Sequence, residues 1–156
     1  MHSLSRRDLA RVALLVGVSP LVTSFTALAT EESPLAMKGY DPVAYFTEKR
    51  AMVGDPQYQH EWDGHRYRFA SAKHLELFKA DPERYLPQYS TWCAAALSQG
   101  FKVPGNPEYW LVVDGRLYLF GKPIGPELMK ADPVAMKTKA DENWPKVSRL
   151  PDQPSQ

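Results

Sequence analysis

The 156-residue chain carries few side chains equipped for chemistry: four histidines and a single cysteine. His74 shares a predicted helix face with Leu77 and Phe78. There an imidazole is either a metal ligand or a buried ring bonded to backbone or to a tyrosine. Cys93 stands beside Ala94, Ala95 and Ala96, as a soft ligand or as a small core residue. His60 and His65 flank the pair Asp63-Gly64, either solvated or within reach of a shared ion. An imidazole and a thiolate with a third nitrogen suit copper or zinc, and the sulfur favours Cu(I). His74, Cys93, His60 and His65 are therefore the candidate metal residues, with His74 and Cys93 sharing one ion. Met37 and Met52 are further soft donors, but neither lies in a Met-x-x-Met or His-Met pattern. Asp41, before Pro42, reads as a turn cap rather than an acid–base group.

Signatures of enzymes are missing. There is no nucleophile elbow, no His-Glu-x-x-His, no phosphate loop and no dinucleotide glycine fingerprint. Cys93 and His74 are conceivable as nucleophile and base, yet nothing local activates the thiol. Trp62, Tyr67, Phe69, Trp92, Trp110, Tyr118 and Trp144 suit a core or a small apolar pocket.

The N-terminus points to export. Arg6-Arg7 precedes the uncharged run Val12 to Leu28, and Ala27-Leu28-Ala29 offers small residues at signal-peptidase spacing. Residues 1–29 therefore read as a twin-arginine signal peptide, with Thr30 the first residue of the exported chain. That run is short and rich in Ser, Thr and Gly for a membrane anchor, and no later segment suits a span. Of 19 Lys and Arg and 18 Asp and Glu, three Arg and one Asp lie in residues 1–29, so the remainder is nearly neutral. Such a chain lacks the basic patch that nucleic acid requires. A lone cysteine permits no internal disulfide.

The elements that must position these groups are legible as an α+β pattern. Gly39 to Phe46 reads as a turn leading into a short strand. Gln57 to Trp62, Asp63-Gly64 and Arg66 to Phe69 read as a hairpin. Ser71 caps a predicted helix over 72–80, and Asp81-Pro82 starts a further helical turn. Trp92 to Ser98 reads as a buried helix ended by Gly100. Glu108 to Val113, Asp114-Gly115 and Arg116 to Phe120 form a second hairpin. Asp132-Pro133 opens a final helix to about Asn143, and 150–156 reads as a frayed tail.

A shift of 51 lays residues 63–82 over 114–133 without a gap, with ten identities in twenty. Chance gives about one or two. Two hairpin–helix modules packed together, plus a C-terminal helix, are the predicted architecture of a single domain over 30–149. His65 aligns with Arg116 and His74 with Gly125. The module itself thus requires neither histidine.

Two stretches carry a family resemblance: Gly-Tyr-Asp-Pro-Val-Ala-Tyr-Phe at 39–46, and residues 67–86 from Tyr-Arg-Phe-Ala-Ser-Ala-Lys-His to Asp-Pro-Glu-Arg-Tyr-Leu. With Cys93, Asp114-Gly115-Arg116-Leu117-Tyr118-Leu119 and Ala140-Asp141-Glu142-Asn143-Trp144-Pro145, they resemble the exported, longer members of the YHS domain family. That resemblance implies a small metal-binding module of the kind found beside copper transporters. The family's three cysteine positions fall here on Ala44, Ala70 and His74. A three-thiolate site is therefore lost, and His74 alone remains as a possible ligand. The expectation is an exported binding protein for a transition metal, copper or zinc, or for a small ligand. A ligand-free accessory subunit of another exported protein is the alternative.

Overall fold

Two Asp-Gly pairs organise the chain. Asp63 and Gly64 (φ 47° and 71°) and Asp114 and Gly115 (φ 50° and 72°) adopt the left-handed backbone of type I′ turns. The first closes strands β1 (Asp55–Trp62) and β2 (His65–Phe69). The second closes β3 (Asn106–Val113) and β4 (Arg116–Phe120), so two antiparallel two-stranded sheets result. The computed structural model describes residues 32–151. The expected signal peptide at 1–29, its junction at Thr30 and residues 152–156 lie outside the described residues.

The registers of the hairpins agree under the same shift of 51. Trp62 faces His65 as Val113 faces Arg116, and both ladders are irregular at one place. There Asp55 faces Phe69 while Gln59 faces Arg68; equivalently, Asn106 faces Phe120 while Trp110 faces Leu119. The cause is local. Asp55 Oδ1 accepts the N–H of Gln57 at 2.9 Å and Asn106 Oδ1 that of Glu108 at 3.0 Å, each across a proline. An Asx turn over a residue without an N–H breaks the ladder in both copies.

The duplication extends upstream of the predicted modules. Gly54 N–H donates to Gly39 O (2.8 Å) as Gly105 N–H does to Thr91 O (2.7 Å). The N–H of Asp41 bonds Met52 O, and that of Cys93 bonds Val103 O, both at 2.8 Å. Asp41 and Cys93 thus hold equivalent places. Each precedes a short helix, α1 (Ala44–Thr47) and α4 (Ala94–Ser98). The short strand expected within 39–46 is therefore replaced by a helical turn, because the Asp41 side chain caps it.

Helices α2 (Ala72–Ala80) and α3 (Pro82–Tyr85) follow the first hairpin. Helices α5 (Gly125–Ala131) and α6 (Pro133–Val147) follow the second. Ser71 Oγ caps α2 at His74 N (3.2 Å), and Asp132 Oδ1 caps α6 at Ala135 N (2.9 Å). The last helix runs past the predicted end at Asn143 and through Pro145 to Val147. So near the terminus a proline removes one hydrogen bond, while Val147 is buried.

Two cores hold the domain. Val43, Tyr45, Tyr67, Phe69 and Phe78 gather with Leu117 and Leu119 in the first. Tyr89, Leu97, Tyr118, Phe120 and Met129 gather in the second. Strand β4 feeds both by alternation, and β3 does the same with Trp110 and Val112 against Tyr109 and Leu111. The second hairpin is the central layer of the α+β domain.

Candidate functional site

The most concentrated polar chemistry in the described residues centres on Asp41, which is fully buried. One carboxylate oxygen, Oδ1, accepts the N–H groups of Val43 (2.8 Å) and Ala44 (3.3 Å), which starts α1. The other, Oδ2, accepts Ala70 N–H (2.8 Å) at the end of β2 and lies 2.6 Å from His74 Nδ1 on α2. A carboxylate offers only acceptors, so Nδ1 carries the proton and donates it. One side chain thereby ties together α1, β2 and α2, and four donors satisfy a charge that would be costly to bury alone.

His74 is almost wholly buried, and Nε2 faces oxygen atoms. It lies 3.1 Å from Thr47 Oγ1 and 3.5 Å from Glu48 Oε1, at the exposed end of α1. Asp41 at Nδ1 sets the ring's tautomer and orientation, leaving Nε2 to hold a proton or a ligand. A carboxylate, an imidazole and a hydroxyl in this order are also the parts of a proton relay. However, the Thr47 hydroxyl donates to Val43 O of its own helix at 3.2 Å, which opposes a nucleophilic role. Nearby, Tyr45 donates to Pro107 O at 2.8 Å. Burial first, and then Tyr40 and Asp41, hold its hydroxyl well above the usual phenol range.

The four residues singled out from the sequence are distributed differently. His74 is bonded to Asp41 and Thr47, not to backbone or a tyrosine. Cys93 is buried in the second core, where Sγ accepts Ala96 N–H at 3.4 Å and caps α4. His60 lies opposite Tyr67 on β1, with its ring edge-on to Phe78 at 6.4 Å. His65 is exposed, with Nδ1 3.0 Å from the carbonyl oxygen of Asp63. Among the described residues, no three His, Cys, Asp or Glu side chains form a group that could hold a metal ion. The ion expected between His74 and Cys93 is therefore not supported. Cys93 stands in the second module where Asp41 stands in the first, and it faces the second core.

Asp41, Thr47 and Glu48 were missed as partners of His74. Asp41 and His74 are 33 positions apart, and an Asp-Pro cap looks complete without a further partner. The one hint was the alignment of His74 with Gly125. Asp41 also gathers two further positions. The N–H groups of Ala44 and Ala70 and the imidazole of His74 all converge on its carboxylate. The chain matches no family model, no curated protein and no solved structure.

Proposed function

We propose that this is an exported, YHS-like binding module that holds a transition metal at His74 and does not turn over a substrate. One observation carries the reading. Ala44, Ala70 and His74, the positions of the family's cysteines in the resemblance, meet around one buried carboxylate that aims His74. The resemblance implies one shared site at those positions, and such a site would require them to be neighbours. In this chain the two alanines cannot ligate, so a soft three-thiolate site does not fit. What fits is a harder donor set: His74 Nε2 with the Glu48 carboxylate, and water for the other positions. Zinc or Cu(II) suits nitrogen and oxygen donors. So open a site exchanges its ion, which suits metal handling rather than a structural role. Asp41 would act as the outer carboxylate that fixes the imidazole.

The test is calorimetric titration of the purified exported protein with Zn(II) and Cu(II). Glu48→Gln and His74→Ala should each weaken binding at least tenfold. Unchanged affinity in the surface variant Glu48→Gln and in His74→Ala would remove the site. The alternative, a ligand-free accessory subunit, is favoured by the exposure of Ile124, Leu128 and Val134 on α5, α6 and the turn before them. Absence of any metal binding by the wild-type protein would favour it. For localisation, N-terminal sequencing of the exported form should begin at Thr30. A retained segment 1–29 would make it an anchor instead.

A further inference from the structure

The second module is open where the first is closed. In the first, the His74 imidazole bridges Asp41, before α1, and Thr47 at its end. In the second, Cys93 stands at the place of Asp41 and Gly125 at that of His74. A side chain at 125 is excluded, since its Cβ would meet Phe120 Cβ at 2.4 Å. No such bridge therefore joins α4 to α5, and a cleft of about 240 Å³ lies between them instead. Its walls are Cys93, Ala95 and Ala96 on one side and Ile124, Gly125 and Leu128 on the other. Ala95 and Leu128 also line a neighbouring cleft of about 390 Å³, beside Met136, so the two form one groove along α4.

Two features point to the class of ligand. The first is an apolar wall left in water. Ile124 and Leu128 are 56 % and 48 % exposed, so a ligand that covers them gains from removing apolar surface from water. The second is a cation. Lys122 is the one charged residue lining the smaller cleft. It is exposed and makes no ion pair among the described residues. Lys130 of α5, by contrast, is held by Glu127 at 2.8 Å. A lysine in such a wall lays its stem along the apolar surface and keeps its ammonium in water, at the rim. The larger cleft carries Asp132 and Lys139, whose charges offset each other, so the unbalanced positive charge lies at the Lys122 end. An apolar groove that ends at an unpaired cation matches an aliphatic chain that ends in an anion.

We propose that this groove binds a single-chain aliphatic carboxylate, with the chain between α4 and α5 and the carboxylate at Lys122. The site uses no residue of the His74 cluster and does not rest on it.

The experiment is a calorimetric titration of the purified exported protein with decanoate, kept below its micelle concentration. Decanoate should bind saturably, and decyltrimethylammonium, a chain of the same length with the opposite charge, at least fivefold more weakly. Lys122→Glu should reverse that preference. Leu128→Ser removes part of the wall, and Ala95→Phe fills the junction of the two clefts, so each should lower decanoate affinity at least fivefold. Circular dichroism checks the fold of each variant, and Leu128 is exposed, so Leu128→Ser carries the test even where Ala95→Phe does not fold. Sedimentation with vesicles of anionic phospholipid separates a free carboxylate from a membrane surface. Absence of saturable decanoate binding by the wild type overturns the proposal, as does an affinity within twofold of it in Leu128→Ser or an unchanged preference in Lys122→Glu. Vesicle binding without decanoate binding also overturns it, in favour of a membrane surface.

Discussion

The two modules share turns and strand register, yet one carries a polar cluster where the other carries an apolar cap. In the first, Asp41 caps α1 and binds His74. In the second, Cys93 caps α4 and Gly125 stands in place of His74. Gly125 is required there for a packing reason. A Cβ on it would meet Phe120 Cβ at 2.4 Å, so α5 approaches β4 too closely for any side chain. The outer faces of the hairpins differ as well. Gln59, Glu61, Arg66 and Arg68 of the first become Trp110, Val112, Leu117 and Leu119 in the second, because only the second hairpin is buried on both faces. Duplicated modules keep what the backbone demands and diverge where burial differs. A polar cluster retained in only one copy is therefore a place to look for function.

The comparison can be broken first where the copies should behave alike. Phe69 and Phe120 are both fully buried. Phe69→Ala and Phe120→Ala should each cost about 3–5 kcal/mol in urea unfolding. A difference above about 2 kcal/mol would mean that the two cores are not equivalent supports of the fold. Next come the positions where the copies should differ. Asp41→Ala strands His74 and three N–H groups in the interior and should cost about 3–5 kcal/mol. Cys93→Ala removes a sulfur cap and one small buried atom and should cost about 1–2 kcal/mol. Equal losses would show that Asp41 is only a cap.

A smaller and symmetric effect is expected at the turns. Gly64 and Gly115 have positive φ and open space around them. Gly64→Ala and Gly115→Ala should each cost roughly 1–2 kcal/mol, through backbone strain alone. The last effect is absent at neutral pH. Burial pushes the Tyr67 hydroxyl in the first core up to about 12, and that of Tyr89 in the second higher still. The folded chain holds these protons longer than the unfolded one. Stability should therefore be complete below pH 10, the ordinary phenol value, and fall as pH rises through about 12. Phenolate absorbance rising together with loss of structure would confirm the coupling. Ordinary titration at pH 10 with the fold intact would refute it.

Much of the scaffold follows from local chemistry and was therefore legible along the chain. Asp63-Gly64 and Asp114-Gly115 specify I′ hairpins because glycine, and to a lesser degree aspartate, tolerate positive φ. Ser71 and Asp132 announce helix starts because each oxygen meets an N–H three residues on. The shift of 51 revealed the duplication, since identical backbone geometry asks for identical turn and cap residues. The turn at Ala44–Thr47 follows from a local cap, since Asp41 Oδ1 meets the N–H groups of Val43 and Ala44, whereas the helix through Pro145 was not legible, because the burial of Val147 overrides local propensity there. The sequence by itself thus determined an α+β chain of two related modules with a terminal helix. Only the tertiary structure decided which hairpin became central, and that His74 meets Asp41 rather than Cys93. A pairing 33 residues apart leaves no periodic trace. It exists because folding brings α1, β2 and α2 around one carboxylate that must be satisfied once buried.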